Sequence, residues 1–508
     1  MAKNVLVTNI VANTLTRIWN VISLYVFVPI WIHFLGVDGY GIISFYSILM
    51  TFLHFADAGL SATLTRELAR ADKDQKYKID LLTTIERVYV AIALFVFFIT
   101  FIGAGVIVDS FLKSDVFSRD ELIVNVKIMG CIMAFNFVLS LYNGGFIGLQ
   151  KMIYNNAITI VYGILRGAVV VLLLIFIPTV KAFFLWQLFS VIICVLYARY
   201  KLYSFVEIKG EKGVFNLGLF KGIWKYSFGM MLMGILAPMI SQIDKMITGN
   251  IFTLTELGFY SLASSIGQSV VFLTQPICGA FFPELTRLIS LKNEEVVKAP
   301  FLLLTFFVSA ISCGVGLVLF LYTGDFVYIW TQNTEIVSNI VIPTRILLAC
   351  NIFVALQFSA YYLALACGHV KTNVKFNLFS IIFMLPAVYY FTKEWGINAT
   401  PIPYLLFNII VTVYMGFLVV KRFLPSLFVV WWKYTVMPLL ISFFVQVVFF
   451  FIVDSLFINC YVRLILGTLI GCFTIILTII LFLRKNREYL NYGIINKAIQ
   501  KLPSWLFN

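Results

Sequence analysis

Fourteen long apolar segments, separated by short polar breaks, run through this 508-residue chain and make lipid rather than water the solvent in which it folds. Some 18 or more mostly apolar residues read as a transmembrane helix, because about 20 residues cross the hydrocarbon core. Hydrophobic residues make up 61% of the chain and charged residues 12%, where a soluble domain carries roughly 45–50% and about 25%. The spans are expected near 11–35, 40–61, 83–108, 123–148, 157–177, 182–203, 226–247, 259–283, 300–322, 340–367, 374–391, 402–420, 435–453 and 462–483. Those at 226–247 and 374–391 contain Pro238 and Pro386, which lipid-embedded helices accommodate as kinks.

Lys and Arg set the orientation. Alternate connections are basic: Arg66, Arg70 and Lys73 in one, Arg199, Lys201 and Lys209 in another, Lys421, Arg422 and Lys433 in a third. The opposite connections hold only Lys113, Arg119, Lys181 and Lys393. Both termini are therefore expected in the cytoplasm, with an even number of spans. The net charge of +14 follows from this asymmetry and from nearby anionic headgroups. Nucleic-acid binding, the competing reading of a basic chain, is not expected, because no soluble stretch is long enough to form such a domain. No cleavable signal peptide is expected: the first apolar segment is too long, carries Arg17 and lacks a small-residue cleavage site. The eight cysteines (131, 194, 278, 313, 350, 367, 460 and 472) lie singly in or beside apolar spans, without metal-ligand spacing or a disulfide pattern.

Residues 37–70 align with 254–287 without gaps. Gly41 matches Gly258, Ser44 matches Ser261, Phe55 matches Phe272, and Glu67-Leu68-x-Arg70 matches Glu284-Leu285-x-Arg287. A second echo pairs Lys127 with Arg345 and Asn155 with Asn373. Both copies run from outside to inside, as in parallel transporter repeats related by an axis along the membrane normal. The expected architecture is an all-α polytopic membrane protein of about 14 transmembrane helices: two pseudo-symmetric six-helix bundles (1–222 and 223–421), a C-terminal helix pair (422–483) and an interfacial cytoplasmic tail (484–508). Lys209–Gly213 is the expected joint between the bundles. Phe428, Trp431 and Trp432 suggest an aromatic belt at the inner surface, and Phe326–Trp330 an apolar patch dipping into the outer one.

Ionisable residues at membrane depth cost about 2.5–3.5 kcal/mol at a helix centre and usually face a cavity. The deepest here are Asp57, Arg166 and the Asp244-Lys245 pair, with His54 one turn before Asp57. Arg17, Arg66, Lys127, Arg345 and Arg463 lie nearer span ends, where snorkelling to headgroups competes with cavity lining. For Asp57, Asp244 and Arg166 the competing role is a structural ion pair between helices. A cavity lined by Arg and Lys suits an anionic ligand, most simply a phosphate or pyrophosphate. Asn136, Tyr142, Asn143, Gln242, Gln268, Gln275, Asn351 and Gln357 could meet sugar hydroxyls, though bonding across helix contacts is the commoner use of such residues.

At Phe55-Ala56-Asp57-Ala58-Gly59-Leu60, followed by Arg66-Glu67-Leu68-Ala69-Arg70, the chain resembles the Wzx-type polysaccharide flippases of the multidrug/oligosaccharidyl-lipid/polysaccharide exporter superfamily. Gln242-Ile243-Asp244-Lys245-Met246-Ile247-Thr248-Gly249 and Glu256-Leu257-Gly258-Phe259-Tyr260 are similar to that group's helix 7 and the opening of its helix 8. The resemblance covers most of the chain. It implies a bacterial inner-membrane transporter, not an enzyme and without a cofactor, that moves an undecaprenyl-pyrophosphate-linked oligosaccharide, such as an O-antigen repeat unit, to the outer leaflet. It also implies membrane lipids, and a glycan polymerase and chain-length proteins, as partners. The expected mechanism is alternating access by rocking of the two halves. Arg166, Lys127, Arg345, Arg17 and Lys245 would receive the headgroup. Asp57, Asp244 and His54 would serve ion coupling or ion pairs, and Gly59 and Pro276, at equivalent repeat positions, would be hinges.

Two other functions compete. A multidrug/cation antiporter of the same superfamily would favour an acidic cavity, whereas the deep basic residues here at least equal the acidic ones. A membrane polymerase or glycosyltransferase would need exposed loops with paired carboxylates, His or a metal site. The longest outer connections, 109–122 and 323–339, contain no His, and their acids form no motif. No Gly-Lys-Ser/Thr phosphate loop is present, so ATP hydrolysis within the chain is not expected.

Overall fold

The computed structural model describes residues 2–57, 59–70, 74–206, 213–221, 241–456 and 459–485; the side chains of 2–18, 20, 21, 24, 54–56, 370–378 and 485 lie outside the description. The fold is all-α. Among the described residues the only strand-like pairing is an isolated bridge between Lys113 and Thr253.

The helices are α1 (Ala2–Ala56), α2 (Leu60–Ala69), α3 (Gln75–Phe111), α4 (Arg119–Gly148), α5 (Met152–Phe176), α6 (Val180–Val206), α7 (Ile243–Ile251), α8 (Leu254–Ile289), α9 (Glu294–Leu321), α10 (Thr323–Thr331), α11 (Thr334–Ala366), α12 (Val370–Trp395), α13 (Ile397–Phe423), α14 (Phe428–Ser455) and α15 (Cys460–Lys485). Eleven helices among the described residues are long and apolar enough to cross a membrane, so the chain is a multi-pass membrane protein. The expected number was fourteen. The difference is local: α1 carries two expected spans in one trace, α12 falls outside the eleven, and 226–247 lies mostly outside the described residues. The joint expected at 209–213 and the tail after 485 are also outside them, apart from Gly213.

Local chemistry sets the boundaries. Within α1 the helix is interrupted at Gly36 (φ 72°), in the left-handed region that glycine enters without steric cost. This is the break expected between the first two spans. The second arm ends at Ala56, and Gly59 (φ 69°) starts α2, so the span expected to run to 61 is broken at Asp57–Gly59. Asp74 caps α3, accepting from Tyr77 N at 2.7 Å. Ser118 and Glu121 form a reciprocal capping box on α4, satisfying two of its orphan amides.

The described chain falls into two compact units, Met1–Gly258 and Phe259–Asn508. The bundle boundary expected at 222/223 lies outside the described residues.

In the first unit, the start of α8 crosses the second arm of α1. Thr255 Oγ1 donates to Asp38 Oδ1 at 2.6 Å, a pair at equivalent positions of the repeat. The equivalent glycines also face one another. A Cβ on Gly41 would run into the Leu254 carbonyl oxygen, and one on Gly258 would lie 2.6 Å from the Val37 carbonyl oxygen. The same end is fastened by Lys113, whose Nζ donates to the carbonyls of Asn250 (2.7 Å) and Ile251 (3.3 Å), where the dipole of α7 favours a cation. Because backbone blocks each added methyl, Gly41→Ala and Gly258→Ala should each destabilise the protein by about 1–3 kcal/mol, read as a lower thermal midpoint in detergent. Gly103→Ala, with open space around it, is the control.

In the second unit, α14 and α15 pack on α9. Phe306 stacks on Phe482 with ring centroids 4.1 Å apart, and Gln446 Nε2 donates to Gly314 O and Thr474 Oγ1, each at 3.1 Å. Trp431, expected in an interfacial belt, is fully buried. Its indole donates to Ser359 Oγ at 2.9 Å, and its ring occupies the space left by Gly416. The patch at 326–330 belongs to α10, pinned through Asp325, which accepts from Arg463 at 2.6 Å.

Candidate functional site

Two adjoining cavities open inside the first unit. The larger, of about 430 Å³, is walled by α1, α5 and α6 and is lined by Ser23, Phe27, Trp31, Tyr40, Tyr46, Tyr162, Arg166 and Gln187, among others. The smaller, of about 200 Å³, is lined by Asp57, Asn136, Ser140, Asn143, Thr159 and Tyr162 among others. Thr159 and Tyr162 belong to both walls.

Arg166 is exposed on the wall of the larger cavity because of a defect in α5. The helix widens into a π turn at Leu165–Val169, a feature common at functional sites. Side chains from α6 take up carbonyls there: Trp186 Nε1 donates to Leu165 O at 2.8 Å and Gln187 Nε2 to Arg166 O at 3.0 Å. The guanidinium lies 5.7 Å from the centre of the Tyr162 ring, a cation–π distance. It forms no ion pair among the described residues. Among the described residues, Arg166 is also the only charged one lining the larger cavity. That wall can therefore attract an anion and offer aromatic and hydroxyl groups beside it.

Asp57 sits at the broken end of α1 and is held in place. Ser61 Oγ donates to Oδ2 at 2.6 Å, and the Tyr89 hydroxyl, from α3, donates to Oδ1. Its carboxylate edges the smaller cavity, where Asn143 Oδ1 is buried without a hydrogen-bond partner among the described residues.

The other predicted residues are elsewhere. Lys127 stacks its ammonium 4.6 Å above Phe101, between α4 and α3, and lines neither cavity. Arg345, in the second unit, donates to the carbonyls of Phe320 (3.1 Å) and Leu321 (3.4 Å), capping α9. Asp244 is buried in the first turn of α7 and accepts from the Lys245 backbone amide at 2.9 Å; Lys245 follows it on that helix and lines neither cavity. The side chains of Arg17 and His54 lie outside the description. Gly59 stands at the α1–α2 break in left-handed conformation, whereas Pro276 lies inside the helical run Ser269–Ile289. Of the amides and tyrosines expected to meet sugar, Asn136 and Asn143 line the smaller cavity. Tyr142 and Gln357 bond across helices instead.

Sequence reasoning missed the aromatic stripe of α1. Trp19, Ser23, Phe27 and Trp31 recur every four residues, on one helix face, opposite Gly163 and Gly167 of α5. A Cβ on Gly163 would lie 2.6 Å from Trp19 Nε1, and one on Gly167 2.7 Å from the Phe27 ring. The matched spacings, four residues on each helix, were the signal. Among the described residues, Trp19 Nε1, Ser23 Oγ and Trp31 Nε1 are buried and find no hydrogen-bond partner, each at a cost of about 1–3 kcal/mol.

An all-α, multi-pass fold with charged cavities of this kind defines a class. The structure overlays on "Lipid II flippase MurJ, inward closed conformation" with a TM-score of 0.72, 14% identity and coverage of 94% of this chain and 99% of that one. It overlays on an inward-facing multidrug resistance MATE family transporter of the MOP superfamily with a TM-score of 0.66, 11% identity and coverage of 79% and 94%. The fold is that of the MOP-superfamily transporters. Residues 6–289 match the polysaccharide biosynthesis protein family, and the chain belongs to that family. It is also 21% identical over 372 residues to a Shigella flexneri protein named "Putative O-antigen transporter", covering 72% of this chain and 85% of that one.

Proposed function

We propose that this protein is a flippase that carries an undecaprenyl-pyrophosphate-linked oligosaccharide, an O-antigen-like repeat unit, from the inner to the outer leaflet of the bacterial cytoplasmic membrane. The observation that carries this reading is Arg166: among the described residues, a guanidinium without an ion pair, presented by a π turn to a cavity whose other described lining groups are aromatic, hydroxyl, amide or aliphatic. A guanidinium fork matches a pyrophosphate, and the carrier's lipid tail remains in the bilayer. Family membership and the likeness to the Shigella protein support the same cargo. Both termini face the cytoplasm, in keeping with the Lys and Arg distribution. Two repeat-related halves rock to alternate access, and Gly59 gives the N-terminal half a flexible break beside Asp57. Asp57 and Asp244 are the coupling residues in this scheme, and a glycan polymerase and chain-length proteins receive the product.

The test is translocation. Proteoliposomes containing the purified protein should deliver a fluorescent undecaprenyl-pyrophosphate oligosaccharide to the opposite leaflet faster than protein-free liposomes, and should fail to export a fluorescent organic cation. The reverse pattern would assign a multidrug exporter.

A further inference from the structure

Two lysines of the first unit share one aromatic platform on its surface. The α4–α5 connection turns sharply: Gln150 takes a left-handed backbone (φ 58°), Lys151 N donates back to Phe146 O at 2.8 Å, and α5 follows. Lys151 Nζ lies 4.8 Å from the centre of the Phe205 ring of α6. Lys201 Nζ lies 5.4 Å from the same centre and 5.2 Å from that of Tyr154. The rings are held: Tyr154 meets Phe205 edge-on at 5.2 Å, and Gln75 of α3 donates to the Phe205 and Val206 carbonyls at 3.3 and 3.0 Å. Two like charges on one platform repel each other. Three acids from this end of the unit are engaged elsewhere, Glu67 with Arg70, Asp80 with Lys76 and Glu86 with Arg199, and neither Lys151 nor Lys201 forms an ion pair among the described residues.

The second unit supplies an internal comparison, because the corner recurs in step with the Asn155–Asn373 echo. Gly368 (φ 74°) stands for Gln150, His369 N donates to Ala364 O at 2.9 Å, and the His369 ring meets Phe423 at 4.8 Å. The turn thus closes on its aromatic without an ammonium, so it does not require a lysine at 151. Nor does α5 benefit: a cation at the amino end of a helix opposes the helix dipole, and the first turn of α5 carries no acid. Lys151 is exposed and Lys201 half-buried. Beside them α6 exposes Leu196 and Tyr200, the latter by 72%, and tyrosine is enriched at headgroup level. A phosphate fits this arrangement, since it accepts charge-assisted bonds from both ammoniums and cancels their repulsion.

We propose that this corner is a binding site for an anionic glycerophospholipid, whose phosphate bridges Lys151 and Lys201 at the Phe205–Tyr154 platform while an acyl chain lies along the exposed apolar face of α6. The site stands apart from Arg166 and does not depend on the cargo. A lipid is the occupant because the cations adjoin exposed apolar surface, which a free anion leaves uncovered. A zwitterionic lipid brings its own cation to the phosphate and is disfavoured. The bound phosphate ties the amino end of α5 to the carboxyl end of α6, the two helices whose contacts at Trp186 and Gln187 support the π turn.

The probe is phosphatidylglycerol with a photoreactive headgroup, added to the full-length protein in detergent, with the labelled peptides mapped by mass spectrometry. Wild-type protein should be labelled at the α4–α5 corner and the end of α6. Excess phosphatidylglycerol should suppress that labelling, whereas phosphatidylcholine and inorganic phosphate should not. Lys151→Gln and Lys201→Gln should each weaken it about fivefold, and the double variant about twentyfold, as expected when each lysine acts separately on an anionic headgroup. Lys393→Gln, which removes a single exposed ammonium 6.0 Å from the Tyr389 ring centre, should change nothing. Both test lysines are at least partly exposed, and either single variant suffices should the other fold poorly. Absence of labelling at the corner, labelling that survives the double variant, or equal competition by phosphatidylcholine overturns the site. Competition by inorganic phosphate overturns the lipid as its occupant.

Discussion

Arg166→Ala should abolish surface glycan in cells that depend on this protein, at an unchanged level of membrane-inserted protein. The size of the effect follows from what the residue does and does not touch. Its guanidinium contributes little to holding the fold: it makes no ion pair among the described residues, and it lies 5.7 Å from the Tyr162 ring centre. Truncation therefore leaves no buried partner stranded. The bonds that keep the π turn in place go to the backbone carbonyls of Leu165 and Arg166 and survive the substitution. On the proposed flippase reading, what is lost is a bidentate, charge-assisted contact to phosphate, about 1.5–3 kcal/mol for each hydrogen bond, or at least about a hundredfold in transport at limiting substrate. Arg166→Lys keeps the charge but not the fork, and should recover only part of the flux. Immunoblotting of membranes together with surface-glycan staining reads both quantities. Normal glycan at normal protein level would remove Arg166 from the mechanism. Lys127→Ala is the informative comparison: its ammonium sits over Phe101, outside either cavity, so glycan export should stay near wild type.

The contrast between Arg166 and Lys127 shows how far the sequence could be read. The all-α, polytopic class follows from hydropathy alone, because lipid forces backbone groups to pair within each span. The break at Gly36 falls where the sequence placed the turn between the first two spans, and the repeat-equivalent glycines Gly41 and Gly258 meet in the structure. A charge in an apolar run announces that some partner exists, but it does not say which kind. Arg345 uses its guanidinium on the carbonyls that end α9, and Lys127 uses its ammonium on a ring. Both solutions depend on a neighbouring helix whose rotation no sequence spacing reveals. The π turn that exposes Arg166 is equally hidden, since Leu165–Val169 has the composition of ordinary helix. The α1 stripe was legible in principle, as a four-residue period of Trp, Ser, Phe and Trp opposite two glycines with the same period. It was obscured because such residues in an apolar span look like lipid-facing or packing side chains.

Glu86→Leu should produce the largest loss of stability of any single substitution considered, about 3 kcal/mol, although Glu86 lines neither cavity. The carboxylate is 8% exposed on α3 and accepts from three groups on two other helices. Tyr142 of α4 donates at 2.5 Å, Tyr203 of α6 at 2.6 Å, and Arg199 of α6 at 2.8 Å. Helices α3, α4 and α6 are thus tied at one point. Removing the acceptor strands the Tyr142 hydroxyl, whose residue is 1% exposed, and such an orphan alone costs about 1–3 kcal/mol. Arg199 behaves differently because its side chain is 55% exposed. It can turn to water or to headgroups, so its loss costs less: Arg199→Ala should destabilise by about 1 kcal/mol, the range of a largely exposed ion pair. The order Glu86→Leu, then Tyr142→Phe, then Arg199→Ala in falling damage, read from thermal midpoints in detergent, is the signature of a buried acceptor serving three donors. Equal damage from Arg199→Ala and Glu86→Leu would mean that the ion pair, rather than the tyrosines, holds these helices together. The network also bears on transport. It keeps α4 and α6 fixed against α3, whose Tyr89 holds Asp57. A weakened network should therefore slow glycan export in proportion to the protein lost, whereas the Arg166 variant should lose export with its protein level intact.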